Sequence, residues 1–165
     1  MLSAILACDA AGGIGRHGSL PWPKKSEDLA YFKKTTANKT VIMGSETWQS
    51  PSMPKPLPKR TNVVVTHNPN KHLGAHYYAP FEHQSLIDSI KSFEDPRGID
   101  EVFVIGGANL IQQLLPELDR FYLTRISGEY NCDTFLDLEQ IKKLFHKTII
   151  EKGTEASYEV WYRIK

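Results

Sequence analysis

The chain reads as a single α/β domain, residues 1–165, built on a sheet of about eight strands. Three observations predict it. Short apolar runs bounded by turn residues recur at 2–8, 40–43, 62–66, 76–78, 101–105 and 120–126, with two more near the C-terminus; their length suits buried strands rather than helices. Helical periodicity falls between them, over 26–37, 85–93 and 108–115. Such alternation makes parallel pairing, because parallel neighbours cannot be joined by a tight turn. After Arg120 the alternation stops: 147–152 and 158–164 read as strands joined by the short stretch 153–157, so the last strand is expected to run antiparallel.

Composition narrows the classes of function. With 41% hydrophobic residues, 24% charged residues and a net charge of +1, the chain is an ordinary globular protein. It lacks the basic stripe that nucleic-acid binding requires, so a small-molecule partner is expected. Length is sufficient for one core without a staple. Cys8 and Cys132 have no paired spacing and are expected as buried free thiols in a reducing cytoplasm. The N-terminal apolar run has no basic segment before it and stops at Asp9, too short for a signal peptide or a membrane span. The Pro-rich stretch 51–58 is a stiff surface loop rather than a linker.

Between the first strand and first helix, residues 9–23 hold four glycines and two prolines, a long connection of the kind that is functional when it is ordered. The run Gly12-Gly13-Ile14-Gly15 lacks the spacing of a dinucleotide fingerprint and opens into no helix. Glycine hinges flanking Ile14, Leu20 and Trp22 suit a lid that folds over a flat ligand and excludes water. The helix that follows has Ser26 as its expected N-cap, with Glu27 and Asp28 in the first turn. Asp28 is either a helix-start acid or something more. It shares a face with Phe32, beside the apolar stripe of Leu29 and Phe32, where a carboxylate is costly unless paired. A protonatable heterocycle bearing an amino group would satisfy both its oxygens.

A second constellation is 101–109, where a buried strand stops at Gly106-Gly107 and a helix begins at Ala108. Backbone there can approach a ligand closely, and strand ends of α/β sheets are where ligands bind; the plain alternative is a tight strand-to-helix turn. Gly44 and Thr47 repeat the arrangement after strand 40–43, with Thr47 expected to cap the short turn through Trp48. Two such ends could grip one dinucleotide. His67, His72 and His76 have no carboxylate or cysteine at ligand spacing, so no metal is expected.

The ordered set Ile14-Gly15, Leu20-Pro21-Trp22, Asp28 with Phe32, Val41-Ile42-Met43-Gly44, Thr47-Trp48, Leu57-Pro58-x-Arg60-x-Asn62, Val104-Ile105-Gly106-Gly107, Thr124 and Asp133-Thr134 resembles the dihydrofolate reductase family over essentially the whole chain. The resemblance implies that family's fold: a mostly parallel eight-stranded sheet with an antiparallel C-terminal strand and about four helices. It also implies NADPH-dependent reduction of dihydrofolate, with antifolate inhibitors as further ligands, by a cytoplasmic monomer. Asp28 would bind the pterin amino group and N3, assisted by Thr124 through a shared hydrogen-bond network. Ile5, Ala7, Leu29, Phe32, Leu57 and Ile105 would line the substrate pocket, and Arg60 would take the α-carboxylate of the glutamate tail. Ala7, Ile14, Gly15, Leu20, Gly44, Ser45, Thr47, Thr66, His67, Ile105, Gly106, Gly107 and Ala108 would contact NADPH, with Leu20 and Trp22 in the loop closing over the nicotinamide. The Gly106-Gly107 peptide is expected to be cis.

Three departures from the family pattern stand out. Ser45 occupies a position where many bacterial relatives carry an arginine for the cofactor's 2′-phosphate, leaving His67 to contribute to that contact. Two residues are added within 51–56 and one near Lys24-Lys25. Ile111 replaces a tyrosine common near the nicotinamide. The nearest rival, a pyrimidine reductase of riboflavin synthesis, shares fold and cofactor; Asp28 and Arg60 argue against it, and they would have no purpose in a non-catalytic nucleotide-binding module.

Overall fold

The computed structural model describes residues 1–16, 20–23, 26–95, 97 and 100–165. Expectations placed on His17–Ser19, on the Lys24-Lys25 insertion and on the Ser26 side chain as N-cap lie outside the described residues. In chain order the elements are β1 (Leu2–Cys8), β2 (Gly13–Gly15), α1 (Ser26–Thr36), β3 (Thr40–Gly44), α2 (Ser45–Gln49), β4 (Thr61–Val65), β5 (Tyr77–Ala79), α3 (His83–Phe93), β6 (Val102–Gly106), α4 (Ala108–Leu114), β7 (Arg120–Ile126), β8 (Thr134–Phe135), α5 (Leu138–Leu144), β9 (Phe145–Lys152) and β10 (Ala156–Arg163), with two short 3-10 turns at Pro69–Lys71 and Leu115–Glu117.

Eight strands form one sheet in the order β5-β4-β3-β6-β1-β7-β10-β9, and β2 pairs with β8 separately. From β5 to β7 every pairing is parallel, whereas β10 lies antiparallel between β7 and β9. The expected mostly parallel sheet and antiparallel final strand are both present. Five α-helices occur among the described residues rather than about four. The additional short ones are α2, which replaces the turn expected after Gly44, and α5, capped by the Asp137 carboxylate accepting from Gln140 N at 3.1 Å.

Alternation along the strands sorts side chains to two faces. Leu2 and Ala4 of β1, Ile42 of β3, Val63 and Val65 of β4, and Val102 and Val104 of β6 pack with Leu86, Ile87 and Ile90 of α3 and with Leu110, Ile111 and Leu114 of α4. The intervening residues, Ile5, Val41, Met43, Val64, Phe103 and Ile105, pack with Trp48 and Leu57, and Tyr31 and Phe32 of α1 join them. Burying each such large side chain contributes roughly 1.5–3 kcal/mol, and the sheet is apolar on both sides because both are covered. The second face, under α1, is where the residues singled out from the sequence converge.

Candidate active site

Asp28, in the first turn of α1, is 9% exposed, and no hydrogen bond reaches its carboxyl group among the described residues. Burial, together with the negative charges of Glu155 and Glu27, pushes it up from 3.8 to about 6. Arg60 is its counterpart in sign. It is 8% exposed and has no acidic partner among the described residues. Its Nε donates to the carbonyl of Pro58 at 2.9 Å and its Nη1 to Thr36 Oγ1 at 3.1 Å, while the guanidinium lies 5.7 Å from the centre of the Phe32 ring. A buried acid and a buried base without countercharges are both costly, and one ligand carrying a cationic donor and a carboxylate would relieve both.

Asn62 explains how Arg60 is held. Fully buried, its side chain accepts from Leu57 N at 2.9 Å and donates to the carbonyls of Leu57 and Arg60, each at 3.0 Å. One amide thereby closes the 57–60 loop, which is a physical reason for the Leu57-Pro58-x-Arg60-x-Asn62 pattern. Between the two charged groups lies an apolar wall: Ile5, Leu57 and Ile105 are buried in one cluster and Phe32 packs on it. Leu29 is half-buried and outside that cluster. Ala7 pairs with Thr124 across β1 and β7. Thr124 is buried, but no direct hydrogen bond joins it to Asp28 among the described residues, so the expected network between them is absent as a direct contact.

The β3 and β6 ends meet beside this wall. Met43 pairs with Gly106 after a register shift, and a Cβ added to Gly44 would stand 3.8 Å from Gly107 N. The Gly106-Gly107 peptide is cis, as expected. Gly106 has φ 145°, and a Cβ there would come within 2.8 Å of the Thr47 hydroxyl, so only glycine fits. Thr47 therefore sits against Gly106 rather than capping α2, whose N-cap Gly44 makes no side-chain bond. Together the strand ends form a shelf of bare backbone that a flat or phosphorylated ligand can approach. Ser45, Thr47 and Ala108 are half-buried along it, while Ile111 is buried beneath α4. At the edge of the sheet Thr66 is buried and accepts from Asn68 N at 3.1 Å, and exposed His67 stacks on Phe81 at 4.5 Å.

The segment expected as a lid divides in two. Leu20 is 47% exposed. Trp22, by contrast, is buried with Ile126, Ala156 and Tyr158 and meets the Tyr130 ring edge-on at 6.1 Å. Ile14, expected in the lid, and Gly15, expected as one of its hinges, belong to β2 and are half-buried in its short ladder with β8.

Two anchoring residues escaped the sequence reading. Asp9, 1% exposed, accepts from the N–H groups of Ala11 and Gly13 at 2.9 Å, from Tyr130 N at 3.0 Å and from the Cys132 thiol at 3.3 Å. Burial would raise its carboxyl, but the donors led by Gly13 and Tyr130 outweigh it and hold the group below its ordinary value. The signal was present: a polar residue ending a buried run just before a glycine-rich stretch needs backbone donors. Glu27 accepts from Thr154 N at 3.1 Å, Thr154 Oγ1 at 2.5 Å and Tyr158 OH at 3.0 Å, clasping the β9–β10 turn to α1, where the rings of Tyr31 and Tyr158 lie 4.3 Å apart. Of the two thiols, Cys8 is buried but Cys132 only half-buried; burial raises each to about 11, which leaves both unreactive.

The three histidines are dispersed: His67 on Phe81, His72 beside Gln49, and His76 beside Asn62. Among the described residues no group of three His, Cys, Asp or Glu is arranged to hold a metal, and no helix is long and apolar enough to cross a membrane.

Comparison with known proteins converges on one family. The family model described as dihydrofolate reductase matches residues 1–163. The dihydrofolate reductase of Bacillus subtilis is 41% identical over 134 residues, covering 81% of this chain and 73% of that protein. The enzyme of Rattus norvegicus is 34% identical over 183 residues, covering 97% of this chain and 96% of its own length. Among solved structures, a dihydrofolate reductase from Enterococcus faecalis complexed with NADP(H) and RAB-propyl aligns with a TM-score of 0.83 at 29% identity, covering 100% of this chain and 97% of that one. With a family match along nearly its whole length, a relative 41% identical over four-fifths of it and another that aligns end to end, the chain belongs to the dihydrofolate reductase family.

Proposed function

We infer that the protein reduces 7,8-dihydrofolate to 5,6,7,8-tetrahydrofolate with a hydride from NADPH, supplying tetrahydrofolate for one-carbon metabolism and for thymidylate, purine and glycine synthesis. One observation carries the reading: a buried acid, Asp28, and a buried base, Arg60, neither with a countercharge among the described residues, flank one apolar wall. Dihydrofolate matches both ends, with a protonatable pterin and a glutamate carboxylate.

Asp28 accepts from the pterin 2-amino group and N3, and its negative charge favours the protonated ring. Ile5, Ala7, Leu29, Phe32, Leu57 and Ile105 enclose the ring and exclude water; Arg60 takes the α-carboxylate through its fork of donors. NADPH would be held on the bare shelf at Gly44, Gly106 and Gly107 by Ala7, Ile14, Gly15, Leu20, Ser45, Thr47, Thr66, His67, Ile105 and Ala108. Bound there, NADPH would supply the hydride for reduction of the pterin. Exposed Leu20, next to fixed Trp22, covers the site and controls the water that protonates N5. Thr124, buried on β7 without a direct bond to Asp28 among the described residues, would assist it only through a network completed by the bound pterin. Positioning and desolvation are thus the protein's share of the chemistry.

The reading takes the chain as a single domain, in which one eight-stranded sheet carries both the apolar wall and the glycine shelf, and includes a cytoplasmic monomer. NADPH is preferred over NADH through the 2′-phosphate, with His67 compensating in part for Ser45; equal catalytic efficiency with the two would remove that preference. The decisive test is loss of NADPH absorbance with and without dihydrofolate, repeated with an antifolate that mimics the pterin. Substrate-dependent, antifolate-sensitive oxidation is expected. A folded protein that binds NADPH but oxidises none with dihydrofolate would overturn the reading.

A further inference from the structure

Among the described residues one buried side-chain oxygen is left without a hydrogen-bond partner, and it belongs to the turn between β9 and β10: Oε2 of Glu155. The residue as a whole is half-buried, so solvent is near, yet this oxygen is turned away from it. A carboxylate oxygen shut off from both water and donors is costly, and native structures rarely leave one so without a use.

The turn is tied down on both sides. Glu27 accepts from the backbone N–H groups of Thr154 and Glu155 as well as from the Thr154 hydroxyl and Tyr158 OH, and Gly153 N donates to the Ala156 carbonyl at 2.8 Å. Ala156, the next residue, is buried with Trp22 and Tyr158. Glu155 is thereby fixed between that cluster and the first turn of α1, where Asp28 follows Glu27. Of the charges acting on Asp28, that of Glu155 comes first, ahead of its chain neighbour Glu27. The other titratable groups described around this place are acidic or phenolic too: Glu27 and Tyr31 from α1, Glu151 from β9 and Tyr158 from β10. No described lysine, arginine or histidine acts on Asp28, which is itself nine-tenths buried and reached by no donor among the described residues.

Two neighbouring carboxyl groups, both short of donors, have one common remedy, a ligand that brings positive charge. We propose that Glu155 is a positioning residue for the reaction: its carboxylate, held behind Asp28 by the Glu27 clasp, makes the pterin end of the pocket doubly acidic and so selects the protonated form of the substrate's ring. The inference rests on the reductase reading, in which the pterin meets Asp28. Glu155 touches no reacting atom and acts through Asp28 and the field at the ring. With Asp28 alone the ring meets one negative charge; with Glu155 fixed behind it the ring meets two, and its cationic form gains on the neutral one without a bond to Glu155. The ligands so favoured are heterocycles that take a proton near neutrality and carry amino donors, over isosteres that stay neutral.

Glu155→Gln keeps the shape and removes the charge. Single-turnover hydride transfer to dihydrofolate, followed from about pH 5 to about pH 9, falls as the ring loses its proton; in the variant this fall should move to lower pH by about half a unit to one unit, so that the rate on the alkaline side drops roughly three- to tenfold. In the free protein the Asp28 carboxyl carbon, followed by NMR, should titrate at lower pH in the variant by a similar interval. A basic diaminopyrimidine antifolate should lose affinity several-fold, and an isostere that stays neutral almost none. Glu155→Asp, which restores the charge, should recover the pH profile in part. An unmoved profile or an unmoved Asp28 titration in Glu155→Gln, or equal losses of affinity for the basic and the neutral ligand, overturns the role of Glu155 while leaving the reductase reading intact. Absence of dihydrofolate turnover in the wild type overturns both.

Discussion

Asp9 and Asp28 are both buried carboxylates at the edges of α1 and β1, yet they are surrounded in opposite ways. Asp9 receives three backbone N–H groups and a thiol; Asp28 receives none among the described residues and faces the charges of Glu155 and Glu27. The first is held below its ordinary proton affinity and the second is raised to about 6. A carboxylate that the fold needs is satisfied by the fold, whereas one kept for a ligand stays unsatisfied until the ligand arrives.

The largest effect should come from Asp28→Asn, which keeps the shape and removes the charge. Turnover at pH 7 is expected to fall by about 100-fold or more, with a smaller deficit in acid, where solvent supplies the proton. Wild-type rates in this variant would dissolve the contrast. Asp9→Ala should instead unfold more easily, by roughly 3 kcal/mol in denaturant titration, because it strands the buried N–H groups of Gly13 and Tyr130; a loss below about 1 kcal/mol would mean that water replaces the carboxylate.

The pH dependence of stability should separate the two acids by sign. The folded chain keeps the Asp28 proton between 3.8 and about 6. That acid's contribution is therefore complete below 3.8 and lost as pH rises through about 6. Asp28→Asn should consequently be more stable than the wild type at neutral pH by about 1–2 kcal/mol, with the difference disappearing in acid. Asp9 behaves in reverse: its contribution is present above its unfolded pKa and lost as pH falls, so the deficit of Asp9→Ala should shrink in acid. A common direction for both would contradict their assigned surroundings. The smallest effect is expected for Cys132→Ser, which preserves a donor to Asp9; its unfolding midpoint should correspond to a change within about 1 kcal/mol.

The strands and their direction were legible because apolar runs and helical periods alternate. Less legible were elements stabilised by partners distant in sequence. Gly13–Gly15 has no strand propensity of its own and is extended because Thr134 and Phe135 pair with it. Helix α5 has a readable start in Asp137 and Gln140, but only Ile141 is buried in its short span, too little for a visible period. At the site, Asp28 and Arg60 were singled out from residue type and motif; that Leu29 lies outside the buried wall cluster and Trp22 inside another depends on packing that motif position does not display. For Asp9 the glycine-rich stretch signals only the local donors Ala11 and Gly13; Tyr130 and Cys132 come from a segment more than a hundred positions away, a closeness no local pattern displays.

The clasp at Glu27 has an evolutionary consequence. A Cβ on Gly153 would overlap the Glu27 carboxylate, so any side chain at 153 drives that carboxylate off Thr154 and Tyr158. Positions 27 and 153 cannot drift independently. Among descendants of this sequence, loss of the glycine should accompany or follow loss of the acid, and lineages that retain Glu27 should retain a bare α-carbon opposite it.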